Sequence, residues 1–281
     1  DEWRRIAARD RLHVNGTRVD PETPLRVGDL VQYFPEERSE PPVDSAYRVV
    51  HGDDDLLVLD KPPNLPCHPA GRFFRHTLWA LLQRDGMAPP IRFVHRLDRE
   101  TSGLVLVAKS ATAARRLGEQ FESGRVEKMY LVIVEGRAPE QFVAEGWLAP
   151  DPTSEVRKKL RLVEADAQRG TALPRVRTQF RRIGVTGSLS LLEARPATGR
   201  RHQIRASLCS LGLPVVGDKL YGVDESLYLR FIRDELSEAD RTRLRIPRQA
   251  LHATSLTVTH PGTGERAEFT SPTPDDMAAL V

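Results

Sequence analysis

The chain has 281 residues, 40% of them hydrophobic and 29% charged, with a formal net charge of +3 at pH 7. This is ordinary globular usage, sufficient for one sizeable core and a small appendage, and it excludes disordered and fibrous chains. No apolar run approaches the roughly 20 residues that span a bilayer, and the charged start at 1–11 is not signal-like, so a soluble protein is expected.

From the N-terminus, residues 12–34 read as short strands broken by Asn15-Gly16, Asp20-Pro21 and Gly28-Asp29, which predicts a small β-rich unit. The proline-rich, charged stretch 35–44 has too little apolar content to bury a core and reads as a linker, with a domain boundary near residue 42. Beyond it, LLVLD (56–60) is a short apolar strand, and 76–86 is a helix with Thr77 as N-cap and Gly86 past its end. Residues 103–110 are β-rich. The following ATAARRLGEQFESG is helical, with Leu117 and Phe121 four apart on one face and Gly124 as the stop. Strands YLVIVEG and LSLLEA, a helical HQIRASLCSLG ended by Gly212, and strand LHATSLTVTH (251–260) complete the core pattern. The charged stretch 222–248 reads as a peripheral excursion. Strands do not alternate regularly with long helices, so the expected fold is α+β with a large mixed sheet rather than a Rossmann or barrel architecture. Cys67 and Cys209 are too few for a disulfide framework and fit buried free thiols in a reducing compartment, which points to the cytoplasm.

Between 157 and 182, nine Arg and Lys residues stand against two acids, Glu164 and Asp166. Either a phosphate-facing surface or a solvated face balanced by acids elsewhere accounts for them. Three other constellations carry chemistry. In FVHRLDRETSGLVLVAKS, Arg96 and Arg99 flank Asp98 in a polar loop that feeds an apolar strand, and Thr101, Ser102 and Gly103 supply a turn. Arginines within a few ångströms would hold Asp98 ionised and nucleophilic; the plainer reading is a salt bridge that caps the turn. In ARPATGRRHQIRASL, Thr198-Gly199 makes a turn, and His202, Gln203 and Arg205 open a helix able to reach phosphates or a buried carboxylate. Solvated arginines at a helix start are the plainer reading there. In EKMYLVIV, Lys128 and Tyr130 share one strand face, so Tyr130 either stacks on a base or packs in the core with its hydroxyl tethered. The eight histidines show no metal-ligand spacing.

Taken in order, HRLDRETSG, the Lys128-x-Tyr130 pair, TGRRHQIR, GDKLYG (217–222) and LHATSLTVTHP resemble the RluA-like family of RNA pseudouridine synthases, over about residues 47–277. LHVNGTRV followed by VGDLV is similar to the latter half of an S4-type RNA-binding domain, and KPPNLPCHPAGRFFRHTL looks like a variant familiar from members that act on tRNA. The resemblance implies a pseudouridine synthase catalytic fold over 43–281, its sheet mainly antiparallel and flanked by helices and loops. It also implies a partial S4-like segment and linker over 1–42. Asp98 matches the family's catalytic aspartate, Arg205 its basic partner and Tyr130 its active-site tyrosine. Arg96 matches the arginine that displaces the flipped base, and Lys128, Thr198, Gly199, Arg200 and His202 fall at substrate-binding positions. The implied reaction needs no cofactor or metal, its partner is tRNA or rRNA, and the expected protein is a cytoplasmic monomer. Attack at ribose C1′, attack at base C6 and glycal formation all remain open, as do an N-glycosidase that releases the base and a non-catalytic RNA-binding protein.

Overall fold

The computed structural model describes residues 11–20, 22–34, 39–87, 91–164 and 173–281. The start at 1–10, residues 35–38 of the expected linker, and Asp166 and Arg169 of the basic run lie outside them. Two compact units form, Asp1–Glu40 and Pro41–Val281. In the first, β1 (Leu12–Val14), β2 (Thr17–Arg18) and β3 (Val31–Tyr33) make an antiparallel sheet in the order β2-β1-β3. Asn15 and Gly16 turn β1 into β2 with φ of 51° and 80°, the left-handed pair that a two-residue hairpin requires.

The second unit is built on β4 (Arg48–Gly52), β5 (Leu56–Lys61), β6 (Arg92–Phe93), β7 (Ser102–Ala108), β8 (Glu127–Glu135) and β9 (Gln141–Pro150). It continues through β10 (Leu160–Val163), β11 (Arg175–Thr186), β12 (Leu189–Pro196), β13 (Leu251–Thr259) and β14 (Arg266–Thr270). These form one sheet in the order β10-β9-β11-β12-β8-β13-β7-β5-β4, with β14 on β13 and β6 on β7. Among the described residues β13 with β7 is the one parallel pair, so the sheet is mixed and mainly antiparallel. Helices Leu78–Arg84, Ala111–Glu122 and Gln203–Ser210 flank it. No described helix is long and apolar enough to cross a membrane.

The period of two explains the core. In β5 and β7, Leu57, Leu59, Val105 and Val107 pack on one face, while Leu56, Val58, Leu104 and Leu106 pack on the other. Both faces are therefore covered and the strands read as continuous apolar runs. Thr77 caps its helix as expected, accepting the Ala80 amide at 3.2 Å. The expected turn at Thr101–Gly103 is shorter, because Ser102 and Gly103 already belong to β7. Gly103 takes φ +108° against Ala253 of β13, where a Cβ would lie 2.3 Å from the Ala253 carbonyl oxygen. Only glycine permits that close parallel approach. The stretch 222–248, between the Gln203–Ser210 helix and β13, holds helices Ser226–Ile232 and Glu238–Leu244. Cys67 is buried and Cys209 partly exposed, both free, so the expectation of two buried thiols holds for the first alone.

Candidate active site

Asp98 sits on the loop that leads into β7, at the floor of a cleft of about 730 Å³. The Gln203–Ser210 helix supplies its partner. Residues 203–208 of that helix are all buried, so Arg205 projects from inside the protein rather than from its surface. Its Nη1 donates to Asp98 Oδ2 at 2.8 Å, while Nε and Nη2 grip Asp218 Oδ2 and Oδ1 at 2.6 and 2.8 Å. The Asp218 side chain is fully buried, and its Oδ1 also accepts the amides of Leu220 and Tyr221. Asp218 thus holds the guanidinium in a bidentate fork and leaves one nitrogen for Asp98.

The Asp98 side chain keeps 28% exposure, so the carboxyl group is open to a substrate. Burial favours its neutral form, but the Arg205 charge, with His202 and hydrogen bonds from Arg205 and Gln249, outweighs this and holds the carboxyl below its ordinary value. Asp98 is an anion at neutral pH. His202 Nε2 is 3.9 Å from Asp98 Oδ1, and its Nδ1 meets the Tyr221 hydroxyl at 3.0 Å. Burial, reinforced by Arg205, pushes His202 down to about 4, so it is neutral at pH 7. His202 adopts φ 58° and sits at the cap of its helix instead of inside it.

Tyr130 is on β8, in register with Ala194 of β12 on one side and Ala253 of β13 on the other. It lines the same cleft as Asp98, between those small neighbours. Burial and then the Asp98 charge raise its phenol well above the ordinary value, so it stays protonated. Lys128 lies two residues earlier on the same face, with its ammonium destabilised by burial. Thr198, Gly199 and Arg200 form another part of the cleft lining. Gln203 shapes it by accepting the Thr198 hydroxyl (2.7 Å) and the Arg200 amide (3.0 Å). Arg96 lines the cleft as well. All nine expected site residues therefore face one cavity.

One spacing-based expectation fails, and one open alternative is narrowed. Arg99 does not pair with Asp98; its guanidinium lies between the rings of Phe73 and Phe231 and donates to Glu100 at 3.2 Å. Four residues of the basic run pair on the protein itself, Arg175 and Arg177 sharing Glu145 (2.6 and 3.3 Å), Arg181 on Glu193 (2.8 Å) and Lys159 on Glu225 (2.6 Å), which favours the reading of a solvated face partly balanced by acids elsewhere. Asp218 escapes the sequence reading, in which GDKLYG is only part of a motif. Its signal is a lone acid in a glycine turn flanked by apolar residues. Lys61 is a second omission: fully buried, it donates to the carbonyls of Pro62 (2.8 Å) and Arg99 (3.2 Å), and burial pushes it down to about 8.

Away from the cleft, ligand atoms of His51, Asp53 and His260 lie within 4.8 Å of one another. Both imidazoles meet Asp53 Oδ2 through Nε2 (2.7 and 2.9 Å), and His260 Nδ1 accepts the amides of Gly262 and Thr263 (3.1 Å each). The His260 proton is thereby fixed on Nε2, so no lone pair there faces an ion, and the trio works as a structural tie.

Residues 55–210 match the family model described as RNA pseudouridylate synthase. The tRNA pseudouridine(32) synthase, mitochondrial, of Saccharomyces cerevisiae is 34% identical over 224 residues, covering 79% of this chain and 47% of that protein. This chain thus spans about half the length of the yeast relative. Ribosomal large subunit pseudouridine synthase D of Xanthomonas campestris pv. campestris is 33% identical over 287 residues, covering 100% of this chain and 82% of the relative. The solved structure of human RNA Pseudouridylate Synthase Domain Containing 1 superposes with a TM-score of 0.63 at 26% identity, covering 84% of this chain and 86% of that one.

Proposed function

Because this chain belongs to the RNA pseudouridylate synthase family, we propose that it isomerises particular uridines of structured RNA, tRNA or rRNA, to pseudouridine, with Asp98 as the catalytic carboxylate. The observation that carries this reading is the Asp98–Arg205 pair at 2.8 Å in the lining of the cleft, with the carboxylate held by the guanidinium yet 28% exposed. Isomerisation breaks the C1′–N1 bond, turns the uracil, joins C1′ to C5 and releases the C5 proton, with no net redox change. An ionised carboxylate serves by attack at C1′ or C6, or by removing a ribose proton to leave a glycal.

Arg205 keeps Asp98 ionised and oriented. Tyr130, protonated and in the cleft wall beside Asp98, packs on the base. Arg96, exposed in the same wall, fills the space left by the flipped nucleotide and offsets the few kcal/mol of unstacking. Lys128, Thr198, Gly199, Arg200 and His202 hold the ribose and phosphates. The N-terminal unit, similar to part of an S4-type domain, adds RNA contacts. The protein is read as a monomer, and the two free cysteines support a cytoplasmic location.

The test uses tRNA and rRNA carrying uridine tritiated at C5. Tritium release to water without free uracil, lost in Asp98→Asn, is expected. Free uracil would make the protein a glycosidase, and turnover by Asp98→Asn would remove Asp98 from its role.

A further inference from the structure

We propose that Phe231 is a positioning residue for the loop that carries Asp98, although it lies 133 positions away, on the Ser226–Ile232 helix. The inference rests on the proposed function and concerns how the carboxylate is kept in place. Arg99 follows Asp98 directly, and its guanidinium carbon is 5.1 Å from the Phe231 ring centroid and 5.3 Å from that of Phe73. The cation is held between two rings. Glu100, the next residue, accepts Lys219 Nζ at 3.0 and 2.9 Å, and that ammonium itself lies 4.6 Å from the Phe231 centroid. One phenyl ring therefore touches the cations that fix both residues after Asp98.

The cluster is partly withdrawn from water, with side-chain exposures of 27% for Arg99, 15% for Glu100 and 4% for Lys219. A cation–π contact strengthens as the cation and the ring lose water. Other hydrogen bonds fix the same loop from other sides, since the Arg99 carbonyl accepts the Leu65 amide (3.1 Å) and Lys61 Nζ (3.2 Å), and the Thr101 hydroxyl accepts Gln249 Nε2 (2.5 Å). None of these restrains the side chains of Arg99 or Glu100. Removing the Phe231 ring leaves Arg99 with one aromatic face and Lys219 with none, so the loop gains positions in which Asp98 no longer meets both Arg205 and the substrate.

The experiment compares wild type with Phe231→Ala, Phe231→Tyr and, as a control for the helix, Ile232→Ala, whose side chain is 48% exposed. Amide exchange over residues 96–103 is measured in the RNA-free protein, and single-turnover rate and RNA affinity on the tRNA or rRNA pool that is modified. For Phe231→Ala we expect faster exchange confined to that loop and neighbouring segments, a rate about tenfold lower and RNA affinity within about twofold. Phe231→Tyr restores exchange and rate, and Ile232→Ala matches wild type. Unchanged loop exchange, faster exchange with an unchanged rate, a loss of affinity equal to the loss of rate, or failure of Phe231→Tyr to restore would each overturn the proposal. Wild-type protein that turns over no RNA refutes the proposed function instead, and the exchange comparison still decides whether Phe231 holds the loop.

Discussion

Two arginine-rich regions of this protein use the same side chain to opposite ends. On the outer face of β11, Arg175 and Arg177 share Glu145 and Arg181 pairs with Glu193, so carboxylates on neighbouring strands hold these arginines and offset part of their charge. Around the cleft, Arg96, Arg200 and Arg201 have no carboxylate partner among the described residues, while Arg205 is buried between two aspartates. Positive charge is denser along the sequence of the first region. The capacity to hold a phosphate or to activate a carboxylate lies in the second, because an arginine already paired has little left to offer an RNA.

The sharpest way to break the comparison is Arg205→Met, which leaves the fully buried Asp218 without its cation. Stranding one member of a buried pair costs roughly 3–5 kcal/mol, so urea unfolding should show a loss of that order. Turnover at pH 7 should vanish, since Asp98 loses both its orientation and the main cause of its lowered pKa. A variant that keeps wild-type stability would show that the buried fork is dispensable.

The next effect is set by pH. Asp218 is held below the ordinary 3.8 by Arg205 and by backbone amides, despite burial. A carboxylate depressed in the folded state contributes stability that is fully present above its unfolded value and is lost as pH falls through the folded one. Asp218→Asn removes that contribution. The stability gap between wild type and Asp218→Asn should stay constant from pH 8 to about 5 and close below about 4. A gap that closes between pH 8 and 6 would mean that another group controls the fork. Asp98 is depressed in the same way, so the rate should not fall between pH 8 and about 5 on its account.

What is legible in the sequence follows the same division between local and distant partners. The Thr77 cap and the Asn15-Gly16 turn are readable because each is decided within three or four residues. In β11, Val176, Thr178 and Phe180 point inside while Arg175, Arg177 and Arg181 point outside, and the density of charge hides that alternation, so a central strand reads as a surface. Arg99 is the natural partner of Asp98 by adjacency, but side chains one apart diverge, and the guanidinium that arrives is 107 residues later in the chain. That pairing reaches the sequence reading only through the family resemblance, which is also what collects all nine cleft residues. Asp218 needs the fold, because only the helix and the turn together show which acid faces the guanidinium.

The smallest expected effect tests the neutral side of the comparison. Arg181 and Glu193 pair at 2.8 Å across β11 and β12, but the arginine side chain is 57% exposed. Solvent screens such a pair, and measured couplings for exposed pairs run at about 0.2–1 kcal/mol. A double-mutant cycle of Arg181→Ala and Glu193→Ala should fall in that range. RNA binding supplies the second reading, since the salt slope carries about 0.9 for every phosphate that the protein neutralises on a duplex and about 0.7 on a single strand. Arg181→Ala should leave the slope nearly unchanged, whereas Arg96→Ala or Arg200→Ala should each lower it by the equivalent of about one phosphate. If Arg181→Ala lowers it as much as Arg200→Ala, the β11 arginines exchange Glu145 and Glu193 for RNA, and their ion pairs in the free protein are a resting state rather than an exclusion of phosphate.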